Sequence, residues 1–252
     1  SAGDPVLAPG AAGGGLGADG SGQLLLESGN RFYLGQAGVF RNVYGIGVQG
    51  PAATAAVNGA LPITFNGNGA MGIYLYGGGQ LIANAPISLT FAGSSSVGLT
   101  VDSGSNAQTL SGLNMTFNAT TGTGGTGVVL QRVASATLDG LTIAGSGVGL
   151  GVWVQEGSSL ALTGASRIGI ASASNGQSFR FSPGVTSSLA TGGIFGSISV
   201  PSQKAGALVQ GGSLTSTGTT WTTSSQAGYG VYAGMPGTSI SRVSLTGDSI
   251  TN

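Results

Sequence analysis

No cysteine and no histidine occur in this sequence, so it holds no disulfide, no thiolate metal site and none of the usual Ser-His or Cys-His nucleophilic pairs. Charge is almost as scarce, at 6% of residues against roughly 25% in ordinary domains. The cations are scattered singly, at Arg31, Arg41, Arg132, Arg167, Arg180, Lys204 and Arg242, and the formal net charge is zero. No basic patch results, so neither nucleic acid nor an anionic membrane surface is an expected partner. No apolar run approaches ~18 residues, and no direct membrane insertion is expected. No stretch carries the pattern of a helix of ordinary length.

Glycine fills the gap, with 51 of 252 residues. It lacks the strict triplet spacing of collagen. A composition so low in charge is compatible with disorder, but a repeated apolar pattern argues against it. The stretch Gly127–Leu150 opens with a Gly, then apolar–any–apolar, then Gln, and Gly151 starts the same pattern again. The opening Gly recurs at Gly20, Gly45, Gly72, Gly98, Gly127, Gly151, Gly176, Gly206 and Gly230, in steps of 24 to 30 residues. A loose period of this length with no helical unit is the mark of a stacked solenoid.

Each repeat contains strand-like alternation. After the opening Gly come pairs such as Ile46/Val48, Ile73/Leu75, Val128/Leu130 and Val152/Val154, which period-2 geometry places on one face of a strand. A second strand reads Ile63-Thr-Phe65, Leu89-Thr-Phe91, Met115-Thr-Phe117, Leu141-Thr-Ile143 and Ile168-Gly-Ile170. Stacking turns these into interior columns, with Phe65, Phe91 and Phe117 in one file. A third, shorter strand is marked by Ala136/Leu138 and Leu160/Leu162. Three strands and three turns per repeat predict an all-β, right-handed parallel β-helix of about nine coils. Residues 1–19, Gly/Ala/Pro-rich and unpatterned, are expected to be a leader, and 20–252 the solenoid, with an external loop within 172–205 where the rhythm breaks. Because the chain opens at Ser1 and stops just after a strand-like Leu245–Ile250, it is read as a piece of a longer, processed protein.

The coils at 127–143 and 151–168 resemble the N-terminal passenger region of pertactin-like autotransporters, and the resemblance extends over roughly residues 45–252. It implies a right-handed β-helix displayed on a Gram-negative outer membrane, acting in adhesion. It also implies export through a C-terminal translocator barrel, expected in the full-length protein. Absence of Cys suits threading through such a barrel unfolded. The partner implied is a host-cell receptor or glycan, or another copy of the chain on a neighbouring cell, as in aggregation or biofilm. The sequence contains no Arg-Gly-Asp tripeptide.

Solenoids of this kind also house polysaccharide lyases and hydrolases, which need clustered carboxylates, or acids clamping Ca²⁺ beside a basic residue. The one charged constellation here is Asp102, Arg132 and Glu156. The acids fall two coils apart, about 9–10 Å at ~4.8 Å per coil, and the pattern predicts a surface ion pair between Arg132 and Glu156. The reading is therefore not an enzyme, and no cofactor or metal is expected. A passive stalk is the other alternative. Gly77–Gly79 and Gly122–Gly127 lack the following helix and Lys of a phosphate loop. Candidate contact residues lie on the outward positions of the first strand: Tyr74, Trp153 and Tyr232 two residues after the opening Gly, Tyr76 beside Tyr74, and Gln131 and Gln155 within a column that also holds Gln49 and Gln210. Exposed aromatics are the usual anchors of a recognition surface. A Thr file at Thr64, Thr90, Thr116 and Thr142 lacks the second Thr column that an ice-binding array needs, since its partners are Pro62, Ser88, Asn114 and Gly140.

Overall fold

A computed structural model describes residues 16–19, 23–26, 32–34, 44–119, 124–170, 204–223, 228–234 and 240–251. Among them every regular element is a strand, and the strands form three parallel eight-stranded sheets. The first sheet stacks Leu16–Asp19, Tyr44–Gln49, Met71–Tyr76, Val97–Asp102, Gly125–Gln131, Val148–Gln155, Lys204–Gln210 and Gly228–Ala233. The second stacks Gln23–Leu26, Thr54–Val57, Gln80–Ala83, Asn106–Ser111, Ser135–Asp139, Ser159–Thr163, Ser213–Thr217 and Arg242–Thr246. The third stacks Phe32–Leu34, Leu61–Phe65, Ile87–Phe91, Leu113–Phe117, Thr142–Ala144, Arg167–Ile170, Thr220–Thr223 and Ser249–Thr251. Each coil contributes one strand to each sheet, and the chain winds as a parallel β-solenoid.

One continuous apolar core, from Ile46 to Trp221, fills the space between the sheets. The expected Phe file is present: Phe65 and Phe91 stack with centroids 4.7 Å apart, and Phe91 and Phe117 at 4.6 Å, all three fully buried. The opening Gly has a steric cause. It faces inward beneath a large side chain of the third sheet, so a Cβ on Gly45 would lie 2.7 Å from Phe65 Cζ, and one on Gly206 would lie 2.9 Å from Trp221 Cε3.

Three details of the register differ from expectation. The strand opened by Gly151 pairs directly with the one opened by Gly206, Val152 opposite Ala207, so no coil opened by Gly176 lies between them. Gly176 itself, like the external loop expected within 172–205 up to residue 203, lies outside the described residues. At the N-terminal side Leu16 pairs with Ile46, the residue after Gly45. The strand Leu16–Asp19 therefore takes the place expected after Gly20, and it falls inside the stretch read as a leader. In the third sheet Met115 pairs with Ile143 and Thr116 with Ala144, which shifts Thr142 into the Asn114 column. A two-residue slip keeps the same face inward, so alternation alone cannot detect it.

Candidate functional site

The outer face of the first sheet carries every candidate contact residue. Val152 and Val154 enter the main core, whereas Trp153 between them joins a separate apolar cluster with Val129, Leu150, Ala205 and Leu208. Trp153 thus points outward as expected, yet it is only 6% exposed, and its Nε1–H donates to Gln210 Oε1 at 3.0 Å. Its burial removes it as a contact residue. Tyr232, opposite Leu208, packs against this cluster and is half-buried, its ring 5.3 Å from that of Tyr229.

Gln131 and Gln155 are also buried, as is Gln210, while Gln49 is exposed. The amides form a directed chain along the stack. Gln155 Nε2 donates to Gln131 Oε1 at 3.0 Å, and Gln131 Nε2 donates to Asp102 Oδ2 at 2.9 Å. Asp102 also accepts Ser103 Oγ–H at 3.0 Å, Arg132 Nε–H at 2.5 Å and a further N–H from Arg132 Nη2.

The predicted Arg132–Glu156 ion pair is replaced by one between Arg132 and Asp102. Burial works against the charged form of Asp102, but the hydrogen bonds from Arg132, Gln131 and Ser103, with the Arg132 charge, outweigh it and hold the carboxyl below its ordinary range. The hydrogen bond to Asp102 raises the affinity of Arg132 for its proton. Glu156 moves the other way. Burial lifts its carboxyl above the ordinary range, partly offset by the charge of Arg132 and a hydrogen bond to its backbone, while Asp102 adds to the lift. Its Oε2 is buried without a hydrogen-bond partner among the described residues.

The corner that follows the first sheet explains the choice of partner. Ser103, Arg132, Val133 and Glu156 all have φ between 51° and 62°, a left-handed conformation that costs a non-Gly residue roughly 1–2 kcal/mol. Ladder bonds between coils hold it: Val133 N–H donates to Glu156 O at 2.9 Å, and Gly104 N–H to Arg132 O at 3.0 Å. The turn leaves Val133 on the surface and lays the Arg132 guanidinium 5.9 Å from the centroid of the Tyr76 ring. Tyr76 in turn stacks on Tyr74, centroids 5.9 Å apart and planes 21° apart. Both rings are half-buried, and Gly47, opposite Tyr74, leaves open space at its Cβ position.

No family model, curated protein or solved structure matches this chain. The site is therefore judged on its own chemistry. Of the six candidate contact residues, Tyr74 and Tyr76 come together with Arg132, and Gln49 lies opposite Tyr76. Trp153, Gln131 and Gln155 belong to a buried layer, and Tyr232 lies at the far end of the sheet. Sequence reasoning missed Val129, Leu150 and Leu208 as a second apolar layer. The signal was there, since apolar residues hold outward positions on consecutive coils. Asp102 accepts four hydrogen bonds, which spends the lone pairs a general base would use. The Tyr74–Tyr76–Arg132 group presents aromatic faces and a neutralised guanidinium, a set suited to uncharged polar ligands with C–H faces.

Proposed function

We propose that this chain is a passenger-type β-solenoid of the pertactin-like kind, displayed outside a bacterial cell, which binds a host-cell glycan or receptor, or another copy of itself, side-on through the outer face of the first sheet. The observation that carries the reading is the Tyr74–Tyr76–Arg132 stack, an aromatic group set in a surface of hydroxyls and amides. The low charge of the whole chain supports contact by stacking and many weak hydrogen bonds rather than by ion pairing. The saturated Asp102 carboxylate favours binding over hydrolysis or elimination at this place.

The test is display of the chain on cells, with adhesion to host cells and cell–cell clumping scored for the native sequence and for a Tyr74→Ala/Tyr76→Ala double variant. Loss of either activity at unchanged surface display is the expected result. Display that confers neither adhesion nor clumping would leave a passive stalk. Full activity in the double variant would move the contact elsewhere on the solenoid.

A further inference from the structure

Position 100 breaks the chemistry of its column. On the outer face of the first sheet Tyr74, Thr100, Val129, Trp153 and Leu208 follow one another in register. Val129, Trp153 and Leu208 form a dry apolar cluster, and the one polar atom of Trp153 is bonded to Gln210. Thr100 is only 1% exposed, yet its Oγ1 has no hydrogen-bond partner among the described residues. A buried, unpaired hydroxyl lowers stability, and a valine would fill nearly the same volume without that loss.

The neighbours of Thr100 show how the hydroxyl could be reached. Tyr74 is half-buried, and its phenol lies close enough to Arg132 to act on that residue's charge. Arg132 directly follows the strand Gly125–Gln131, two coils beyond Tyr74. A side chain reaching from Tyr74 toward Arg132 therefore crosses the coil that holds Thr100. On its other side Tyr74 leaves Gly47 clear, since nothing lies within 4 Å of the Gly47 Cβ position. An unpaired hydroxyl, a ring lying toward it and vacant space behind that ring make a closed site with room to open. We propose that the Tyr74 ring swings over Gly47 and uncovers Thr100, whose hydroxyl then bonds a hydroxyl of a neutral sugar resting on Tyr76. This inference rests on the sugar-binding reading given above and adds the residue that recognises a ligand hydroxyl. A neutral sugar fits better than an ion, because Thr100 brings no charge and Asp102 and Arg132 neutralise each other. The Thr hydroxyl can donate or accept, as can its partner on the sugar.

Two measurements test the site, and the first needs no ligand. Thr100→Val should raise the urea midpoint, because it removes the unpaired hydroxyl and keeps the volume. A lowered midpoint would show that a buried water already pairs the hydroxyl, and would overturn the proposal. The second follows threonine methyl signals by NMR while lactose, maltose and cellobiose are each added to about 50 mM. The Thr100 signal is identified by its absence from Thr100→Val. At least one sugar should bind the native chain and shift that signal. Thr100→Val should bind the same sugar about fivefold more weakly, and Thr100→Ser, which keeps the hydroxyl, should bind it normally. Gly47→Val fills the space the ring needs, so it should cause a similar loss at an unchanged urea midpoint. The Gly47→Val/Thr100→Val variant should be no weaker than either single change, because both block one step. Equal affinity in native and Thr100→Val, with binding lost in Tyr76→Ala, would overturn the Thr100 site and leave the sugar reading standing. No shift with any of the three sugars would overturn both.

Discussion

Arg132 reaches back one coil to Asp102 and not forward to Glu156. The two carboxyls therefore titrate in opposite directions from their ordinary values, Asp102 lower and Glu156 higher.

This sets the shape of stability against pH. Glu156 binds its proton more tightly folded than unfolded, so its contribution is present at low pH and is lost as pH rises through its raised folded value. Asp102 contributes above the ordinary Asp value, and that contribution is lost as pH falls through its lowered folded value. Urea midpoints should accordingly rise slightly as pH falls toward the ordinary Glu value of about 4.3 and fall again below the ordinary Asp value of about 3.9. Glu156→Gln should flatten the upper limb, and Asp102→Asn should remove its share of the acid limb and lower stability at neutral pH.

Phe91 is clasped between Phe65 and Phe117. Phe91→Ala should cost about 3–5 kcal/mol in chemical denaturation, somewhat less if the neighbouring coils settle into the gap. Phe91→Asp should abolish folding, seen as loss of the β-sheet circular dichroism signal.

Two glycines of the first sheet should respond oppositely to the same change. Gly206→Ala places a methyl against Trp221 and the Gly230 carbonyl and should cost about 1–3 kcal/mol. Gly47 has nothing within 4 Å of its Cβ position, so Gly47→Ala should change stability by no more than about 0.5 kcal/mol. Paired urea melts of the two variants check this.

Trp153 belongs to the packing and not to the exposed surface. Trp153→Ala should lower stability by about 3–5 kcal/mol. Trp153→Phe, which keeps most of the bulk but removes the donor to Gln210, should cost about 1–3 kcal/mol. Both tryptophans are buried, so folded-state emission should be blue-shifted and poorly quenched by iodide until the chain unfolds.

Any association through the outer face should be nearly insensitive to salt, since its main ion pair is already closed within the molecule. Between about 0.05 and 0.5 M salt the association constant should change less than tenfold, measured by sedimentation equilibrium. A steep loss would point to an intermolecular role for Arg132 or Glu156.

The interior of this protein was legible in its sequence. Period-2 alternation marks which side of a strand faces inward, and the recurring Gly marks where a large side chain of the next strand needs room. Those local signals placed the Phe file, the three-strand coil and the parallel stack. They failed where the deciding contact lies far along the chain. Alternation says that Trp153, Gln131 and Gln155 point out of the barrel, but it cannot say whether that side is wet, and tertiary packing made it a second dry layer. It is equally blind to the two-residue slip at Ile143, which leaves the inward face unchanged. It is blind too to the direct pairing of the Gly151 and Gly206 coils, because a period counts residues and not the strands they join. The partner of Arg132 was decided the same way, by a left-handed corner and a ladder of amides ending on Asp102 that exist only once the coils are stacked.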